Sequence, residues 1–90
     1  MSVKAKFKVQ SVTSTMGMHW DGKQYVSDEV RTIRLFPVSG GTAENAKFFA
    51  STPSGSIDLG TVVKAAAEYF ALDGEYYVTF ERAEVKHDDA

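Results

Sequence analysis

The first part of the chain alternates between polar and apolar residues, and this alternation limits the possible fold more than any other feature does. The alternation runs from Val3 to Thr15. Its two sets are Lys4, Lys6, Lys8 and Gln10 on the even positions, and Ala5, Phe7, Val9 and Ser11 on the odd ones. Successive side chains of a strand point to opposite faces, so a period of two predicts a strand with one face buried.

Four further strands and one helix are predicted from the rest of the chain. They cover residues 30–36, 46–52, 56–59 and 75–82, with the second strand stopping at Pro37 because proline cannot donate to a ladder. Apolar residues recur at helical spacing after Thr61, a suitable N-cap, and stop before Gly74. One short amphipathic helix therefore separates the last two strands.

Residues 16–22 lie between the first two predicted strands. Methionine, glycine and tryptophan crowd together there, and Asp21-Gly22 is a strong turn signal. The segment is either the tip of a hairpin or a loop.

The segment from Thr52 to Gly55 reads Thr-Pro-Ser-Gly and has two interpretations. Proline in second place and glycine in fourth favour a type I turn, with positive φ at the glycine, joining the third and fourth strands as a hairpin. A phosphate-binding loop would need a Gly-Lys-Ser/Thr run, and the nearest lysine is Lys64. The turn is therefore the favoured interpretation.

The predicted fold is mainly β in the α+β class, with the order β-β-β-β-α-β and one short helix. Short connections favour antiparallel neighbours, and a small sheet protects its edges by curling. We therefore expect a small curved antiparallel sheet or barrel, in one domain over residues 1–84. Residues 85–90 are expected to form a frayed polar tail.

Composition excludes several classes of protein. The chain has no cysteine and two histidines, so we expect no disulfide, no metal site and no cofactor. Its formal net charge of −2 disfavours coating of nucleic acid by bulk charge, although a local basic face stays possible. No apolar run approaches a membrane span or a signal peptide, so we expect no membrane contact and a cytoplasmic protein.

Two groups of polar side chains are candidate binding residues. Lys4, Lys6 and Lys8 form a stripe that suits a phosphate backbone, although edge strands also carry lysine to block edge pairing. Arg31 and Arg34 could clamp an anion together with Arg82. The alternative for both groups is a solvated surface.

Aromatic residues supply the other candidates. Trp20 and His19 could bind a base or ring, but neighbours on a strand point to opposite faces, so Trp20 could instead be buried or lie in a subunit contact. Tyr76 and Tyr77 cannot both be inside, which leaves one exposed or at an interface. Aromatic side chains are enriched at interface centres, so we expect a homo-oligomer.

The sequence offers no catalytic set. Ser54 and Ser56 lie in a predicted turn, and the histidines are His19 and His87 in the predicted tail. A nucleophilic serine needs a base within hydrogen-bond reach. We therefore do not expect an enzyme.

Three segments carry a resemblance to a known group of proteins. They are residues 35–41, residues 49–61 with the Thr-Pro-Ser-Gly-Ser pattern, and residues 74–80. Together they resemble small uncharacterised proteins of tailed bacteriophages, over most of residues 3–83. The resemblance implies a phage origin and carries no site residue with it.

These observations lead to one functional hypothesis and one alternative. The hypothesis is a non-enzymatic, phage-encoded accessory module in the host cytoplasm that holds a nucleic acid, a nucleotide or a host protein. The alternative is a small self-associating structural protein of the virion, in the head or the tail.

Overall fold

The computed structural model describes residues 2–84, which form one open antiparallel sheet with a short helix over each face. The elements are β1 (Ser2–Trp20), β2 (Tyr25–Pro37), α1 (Ala43–Ser51), β3 (Ile57–Thr61), α2 (Lys64–Tyr69) and β4 (Glu75–Glu81). The four strands lie in the order β3-β2-β1-β4. The mainly β, antiparallel prediction is confirmed. The sheet does not close, so the barrel alternative is wrong, and the predicted tail at 85–90 lies outside the described residues.

The core lies on one face of the sheet, where β1 and β2 cross its centre. The buried apolar cluster is Ala5, Phe7, Val9, Ile33 and Leu35. Phe70, which follows α2, packs on this cluster from above, and Tyr76 and Val78 of β4 extend it sideways. We call this side of the sheet the apolar face.

A bulge in β1 keeps the apolar residues of this long strand on one face. Val9 pairs with Leu35 and Ser11 pairs with Arg34, so Gln10 is the extra residue. Before the bulge the odd positions of β1 face the core, and after it the even positions do, because Val12 pairs with the core residue Ile33. The apolar face therefore continues along the whole of β1.

The paired strands β1 and β2 extend past their neighbours as a two-stranded hairpin. β4 pairs with β1 only as far as Lys8, and β3 pairs with β2 only as far as Arg31. We call residues 12–33 the arm, although residues 31–33 at its base still pair with β3; it is roughly 30 Å long at about 3.3 Å per residue. The radius of gyration is 16.4 Å, whereas a compact chain of this length would have about 12 Å. The arm makes the molecule elongated.

The tip of the arm is a tight turn closed by Asp21. Its carboxylate accepts hydrogen bonds from the backbone N–H groups of Lys23 and Gln24, at 2.8 and 2.9 Å. Gly22 has φ of 103°, a conformation that glycine adopts without strain. Of the two interpretations of residues 16–22, the hairpin is correct, although residues 16–20 are still part of β1 and only Asp21 and Gly22 belong to the tip.

The prediction of a strand over residues 46–52 is wrong, because this segment belongs to α1. Thr42 is the N-cap, and its Oγ1 accepts a hydrogen bond from the Asn45 backbone at 3.0 Å. This bond satisfies one of the free N–H groups at the start of the helix. Phe48 and Phe49 are therefore successive residues of a helix. They do not point to opposite faces of a strand. The protein has two short helices where the sequence predicted one.

The predicted hairpin at Thr52–Gly55 is also wrong, although its turn glycine was correctly recognised. Gly55 has φ of 135°. The segment before it is helical, so this loop joins α1 to β3, and β3 pairs with β2. The second helix is shorter than predicted and begins at Lys64, so its N-cap is Val63 and the prediction of Thr61 as N-cap is wrong. Thr61 lies at the end of β3 and accepts a hydrogen bond from the Val63 backbone at 3.0 Å.

Candidate functional site

The eight residues proposed from sequence do not form one site. They are Lys4, Lys6, Lys8, Tyr77, Arg31, Arg34, His19 and Trp20. The three lysines and Tyr77 lie together on the face opposite the core, which we call the lysine face. The other four are distributed over both faces of β2 and the arm.

Lys6 is the centre of a polar cluster under α1. Its ammonium donates to Asn45 Oδ1 at 2.8 Å and lies 3.4 Å from Glu44 and 3.3 Å from Glu75. Only 11% of the Lys6 side chain is exposed. It therefore holds α1 against the sheet and is not available to a ligand.

Asn45 completes this cluster from the helix. It is buried, and its amide nitrogen donates to the Gly40 carbonyl and to Glu75, both at 3.0 Å. Every polar atom of the side chain therefore has a partner, as burial of an amide requires. Lys6 and Glu75 come from different strands, so Asn45 joins the helix to both.

Tyr77 is tied to the same helix. Its hydroxyl donates to Glu44 at 2.6 Å, and its ring lies 6.0 Å from that of Phe48. Lys4 lies over the Tyr77 ring at 4.2 Å, a cation–π contact. Lys8 lies 3.6 Å from Asp73. Each lysine of the stripe thus already has a partner within the chain.

These contacts shift three pKa values. Partial desolvation opposes the charge of Lys6, but hydrogen bonding to Glu75 and the charges of Glu44 and Glu75 outweigh it, so the pKa of Lys6 is raised above 10.5. The hydrogen bond from Tyr77, helped by the Lys6 charge, lowers the pKa of Glu44 below 4.5. The same hydrogen bond raises the pKa of Tyr77 above 10.0. All three shifts favour the protonation states that bind α1.

The two arginines of β2 do not form an anion clamp. Arg34 lies on the lysine face and contacts Asp58 of β3 at 3.0 Å. Arg31, three residues earlier, lies on the apolar face, and its Nε is 3.7 Å from Glu29. Because each arginine faces its own carboxylate on a different side of the sheet, they cannot bind one ligand together.

His19 and Trp20 point to opposite faces of the arm, as the strand geometry predicted. His19 Nε2 lies 3.4 Å from Asp28 Oδ2, although the two atoms are not aligned as a hydrogen bond. Trp20 lies on the apolar face, where its ring meets that of Tyr25 edge to face at 5.3 Å. Trp20 is not buried, since 56% of it is exposed.

The arm half of the apolar face carries large exposed side chains. Met16 is 70% exposed, Met18 64% and Tyr25 69%, beside the exposed Trp20. The opposite side of the arm is closed more tightly: Val30 leans over Gly17 so closely that a Cβ there would lie 2.8 Å from Val30 Cγ2. Large apolar groups on one side of the arm are therefore left uncovered.

The other half of the apolar face is an open groove beside α2. Its volume is about 600 Å³, within the range of known binding clefts. Its lining includes Leu35, Ile57, Leu59, Phe70, Tyr76 and Phe80. The Tyr76 hydroxyl is already used, donating to the Tyr69 carbonyl at 2.9 Å and accepting from the Ala71 N–H at 2.8 Å.

Sequence reasoning missed most of this apolar surface. Met16, Met18 and Tyr25 were not among the proposed binding residues, and neither was the groove. A signal was present, because apolar residues fall on even positions from Val12 onward, after falling on odd positions up to Val9. Such a change of phase indicates an extra residue in a continuing strand.

Some kinds of site are absent from the part of the chain that the structure describes. Residues 2–84 contain no group of three or more His, Cys, Asp or Glu side chains that could hold a metal ion. Within the same residues, neither helix is long and apolar enough to cross a membrane.

Comparison with known proteins gives no relative. No family model, no curated protein and no solved structure matches this chain.

Replacing Asn45 by alanine should lower the free energy of unfolding by about 2 kcal/mol, because Lys6 and Glu75 lose a buried partner. Lys47→Ala is the matched control, an exposed position on the same helix, and should change stability by less than about 0.5 kcal/mol. Urea denaturation measures both. Equal losses in the two variants would contradict the role of Asn45.

The stabilising effect of Glu44 should depend on pH. Because its pKa in the folded state lies below 4.5, its contribution is present above that pH and disappears as the pH falls through the folded value. The stability difference between wild type and Glu44→Gln should therefore be constant near neutral pH and vanish in acid. Denaturation at several pH values measures it. Glu68→Gln, at an exposed helix pair with Lys64, should differ little from wild type, and a similar profile there would contradict the assignment.

Proposed function

We propose that this protein is a non-enzymatic, phage-encoded module that binds other proteins through its apolar face. The phage origin rests on the resemblance of three sequence segments. The non-enzymatic part rests on the lack of a catalytic set in the sequence. The choice of protein as the ligand rests on the two faces of the sheet.

The observation that carries this proposal is the exposure of large apolar side chains at both ends of the apolar face, on either side of the buried core. The groove leaves Phe80 56% and Leu59 41% exposed, and the arm adds its methionines, Trp20 and Tyr25. Large exposed apolar patches are rare on a monomer and mark surfaces that bind other molecules. Methionine and aromatic residues are also the types enriched in protein interfaces.

Nucleic acid and nucleotide ligands have less support. Binding to a phosphate backbone depends on lysine and arginine charges that are free to neutralise phosphates. Lys6 is enclosed by Glu44, Glu75 and Asn45, and Arg34 faces Asp58. A phosphate approaching these cations would also meet their carboxylates.

Two biological settings fit a protein-binding module of this kind. In the first, it is an accessory protein of the host cytoplasm that occupies a surface of a host protein. In the second, it is a structural protein of the virion that contacts neighbouring subunits. The elongated shape and the open sheet are compatible with either setting, because both features leave surface that another protein can contact.

The ligand class is tested by comparing variants on the apolar face with variants on the lysine face. Wild type should capture protein from a host lysate or from disassembled particles, Phe80→Ser in the groove should lose that capture, and Lys4→Ala on the lysine face should keep it. Phe49→Ser, an exposed aromatic on α1, controls for loss of an aromatic elsewhere. Saturable binding of single-stranded DNA or nucleotides that Lys4→Ala abolishes and Phe80→Ser does not would contradict the proposal.

The two settings are separated by mass spectrometry of purified particles. A structural component is present at many copies per particle, and an accessory protein is not.

A further inference from the structure

We propose that the arm half of the apolar face is the contact surface for a second copy of this chain, with two arms stacked face to face in antiparallel orientation. This inference rests on the proposed function, in which the apolar face binds protein, and it names the first partner.

The pairing of β1 with β2 defines what each arm presents. On the apolar face, directly opposed residues form successive rungs from base to tip. The rungs are Val12–Ile33, Ser14–Arg31, Met16–Glu29, Met18–Ser27 and Trp20–Tyr25. The central rung is Met16–Glu29, so a twofold axis through it brings the tip of one arm over the base of the other.

Stacked this way, the two arms are complementary in size. The axis runs across the strands, so β1 of one copy lies over β1 of the other. Met18 then faces Ser14 of the second copy, Trp20 faces Val12, and Met16 faces its own equivalent. On β2, Arg31 faces the small Ser27, whereas Ile33 at the base is fully buried beneath its own chain, so the two arms contact each other mainly along β1. Large groups opposite small ones are what sheets need to interdigitate at their usual separation of about 10 Å.

The charges of the arm are compatible with self-contact. Between residues 12 and 33 the acidic groups are Asp21, Asp28 and Glu29, and the basic ones are Lys23 and Arg31. Only one of each sign lies on the stacked face, and they neutralise each other, with Arg31 3.7 Å from Glu29. Ser14 also donates to Glu29 at 2.6 Å. The two Glu29 side chains that meet near the axis are therefore already paired within their own arms.

The area available is sufficient for a specific dimer. At on the order of 200 Å² for a fully exposed side chain of this size, the exposed parts of Met16, Met18, Trp20 and Tyr25 amount to roughly 500 Å² per arm. Two arms together offer about 1,000 Å², where specific interfaces begin, before the polar members of the rungs are counted. A twofold axis is also the commonest symmetry of soluble oligomers.

Because the chain contains no cysteine, single cysteines can be introduced and crosslinked to test the dimer. Met16→Cys should be joined efficiently into a covalent dimer by a short bismaleimide crosslinker, because residue 16 meets its own equivalent at the axis. Thr15→Cys is the matched control: it is the adjacent, exposed position on the other side of the same arm, and it should stay monomeric on denaturing gels.

A second pair of variants tests whether the two arms are antiparallel. When Ser14→Cys and Met18→Cys proteins are mixed, the crosslinked product should be mainly the mixed dimer, identified by mass spectrometry. Only self-linked products, or equal linking at Thr15, would overturn the antiparallel stack. Wild type should sediment as a dimer, and Trp20→Ala should weaken association roughly tenfold or more, while Phe49→Ala leaves it unchanged.

Other occupants of the arm give different results. An arm seated in the groove of a neighbouring copy would make Phe80→Ser weaken self-association and would leave Met16→Cys without a self-link, which overturns the proposal. A monomer at every concentration tested overturns it too. Neither result removes the capture of other proteins that depends on Phe80, so failure of the dimer and failure of the proposed function are distinguishable.

Discussion

One strand, β1, belongs to two parts of the molecule at once, and the extra residue at Gln10 makes this possible. Its first half is the central strand of a covered sheet, and its second half is one side of a free hairpin. Side chains of a strand alternate strictly, so any odd shift in the sequence pattern would turn the arm's apolar residues to the opposite face. The bulge absorbs that shift, and a single apolar face runs from the core to Trp20.

The two faces of the sheet differ in how fully the rest of the chain covers them and pairs their polar groups. On the lysine face, α1 supplies Glu44 and Asn45, which with Glu75 enclose Lys6. On the apolar face, α2 has only six residues, and Phe70 after it packs on the core cluster, which leaves the arm and the groove uncovered. An isolated two-stranded hairpin is marginally stable in water. The cross-strand contacts of the arm therefore need the support of a partner molecule that covers its apolar side. This difference in cover between the two faces is the basis of both proposals, that the ligand is a protein and that two arms form a dimer.

Short-range patterns in the sequence predicted part of this arrangement. The alternation around Phe7 identified the core side of β1, and adjacency alone placed His19 and Trp20 on opposite faces. Asp21-Gly22 marked the tip of the hairpin. These features depend on neighbouring residues, which is why the sequence carries them directly.

Features that depend on distant residues could not be predicted in this way. The Phe48-Phe49 pair resembles a strand, and it is helical because Thr42 caps the segment and Asn45 finds partners on β1 and β4. The same topology encloses Lys6, which sequence reasoning treated as a ligand contact. It also separates Arg31 from Arg34, which have the spacing of a clamp but lie on opposite faces.

The central claim is that the apolar side of the arm requires cover from outside its own chain. Amide hydrogen exchange over residues 13–19, measured at several protein concentrations, tests it most directly. Protection of the arm should rise with concentration, while the core amides of Val9 and Leu35 stay equally protected throughout, because the sheet is complete in each copy and the arm is not. Arm amides whose exchange is slow and independent of concentration would show that the arm is stable by itself, and would contradict the account.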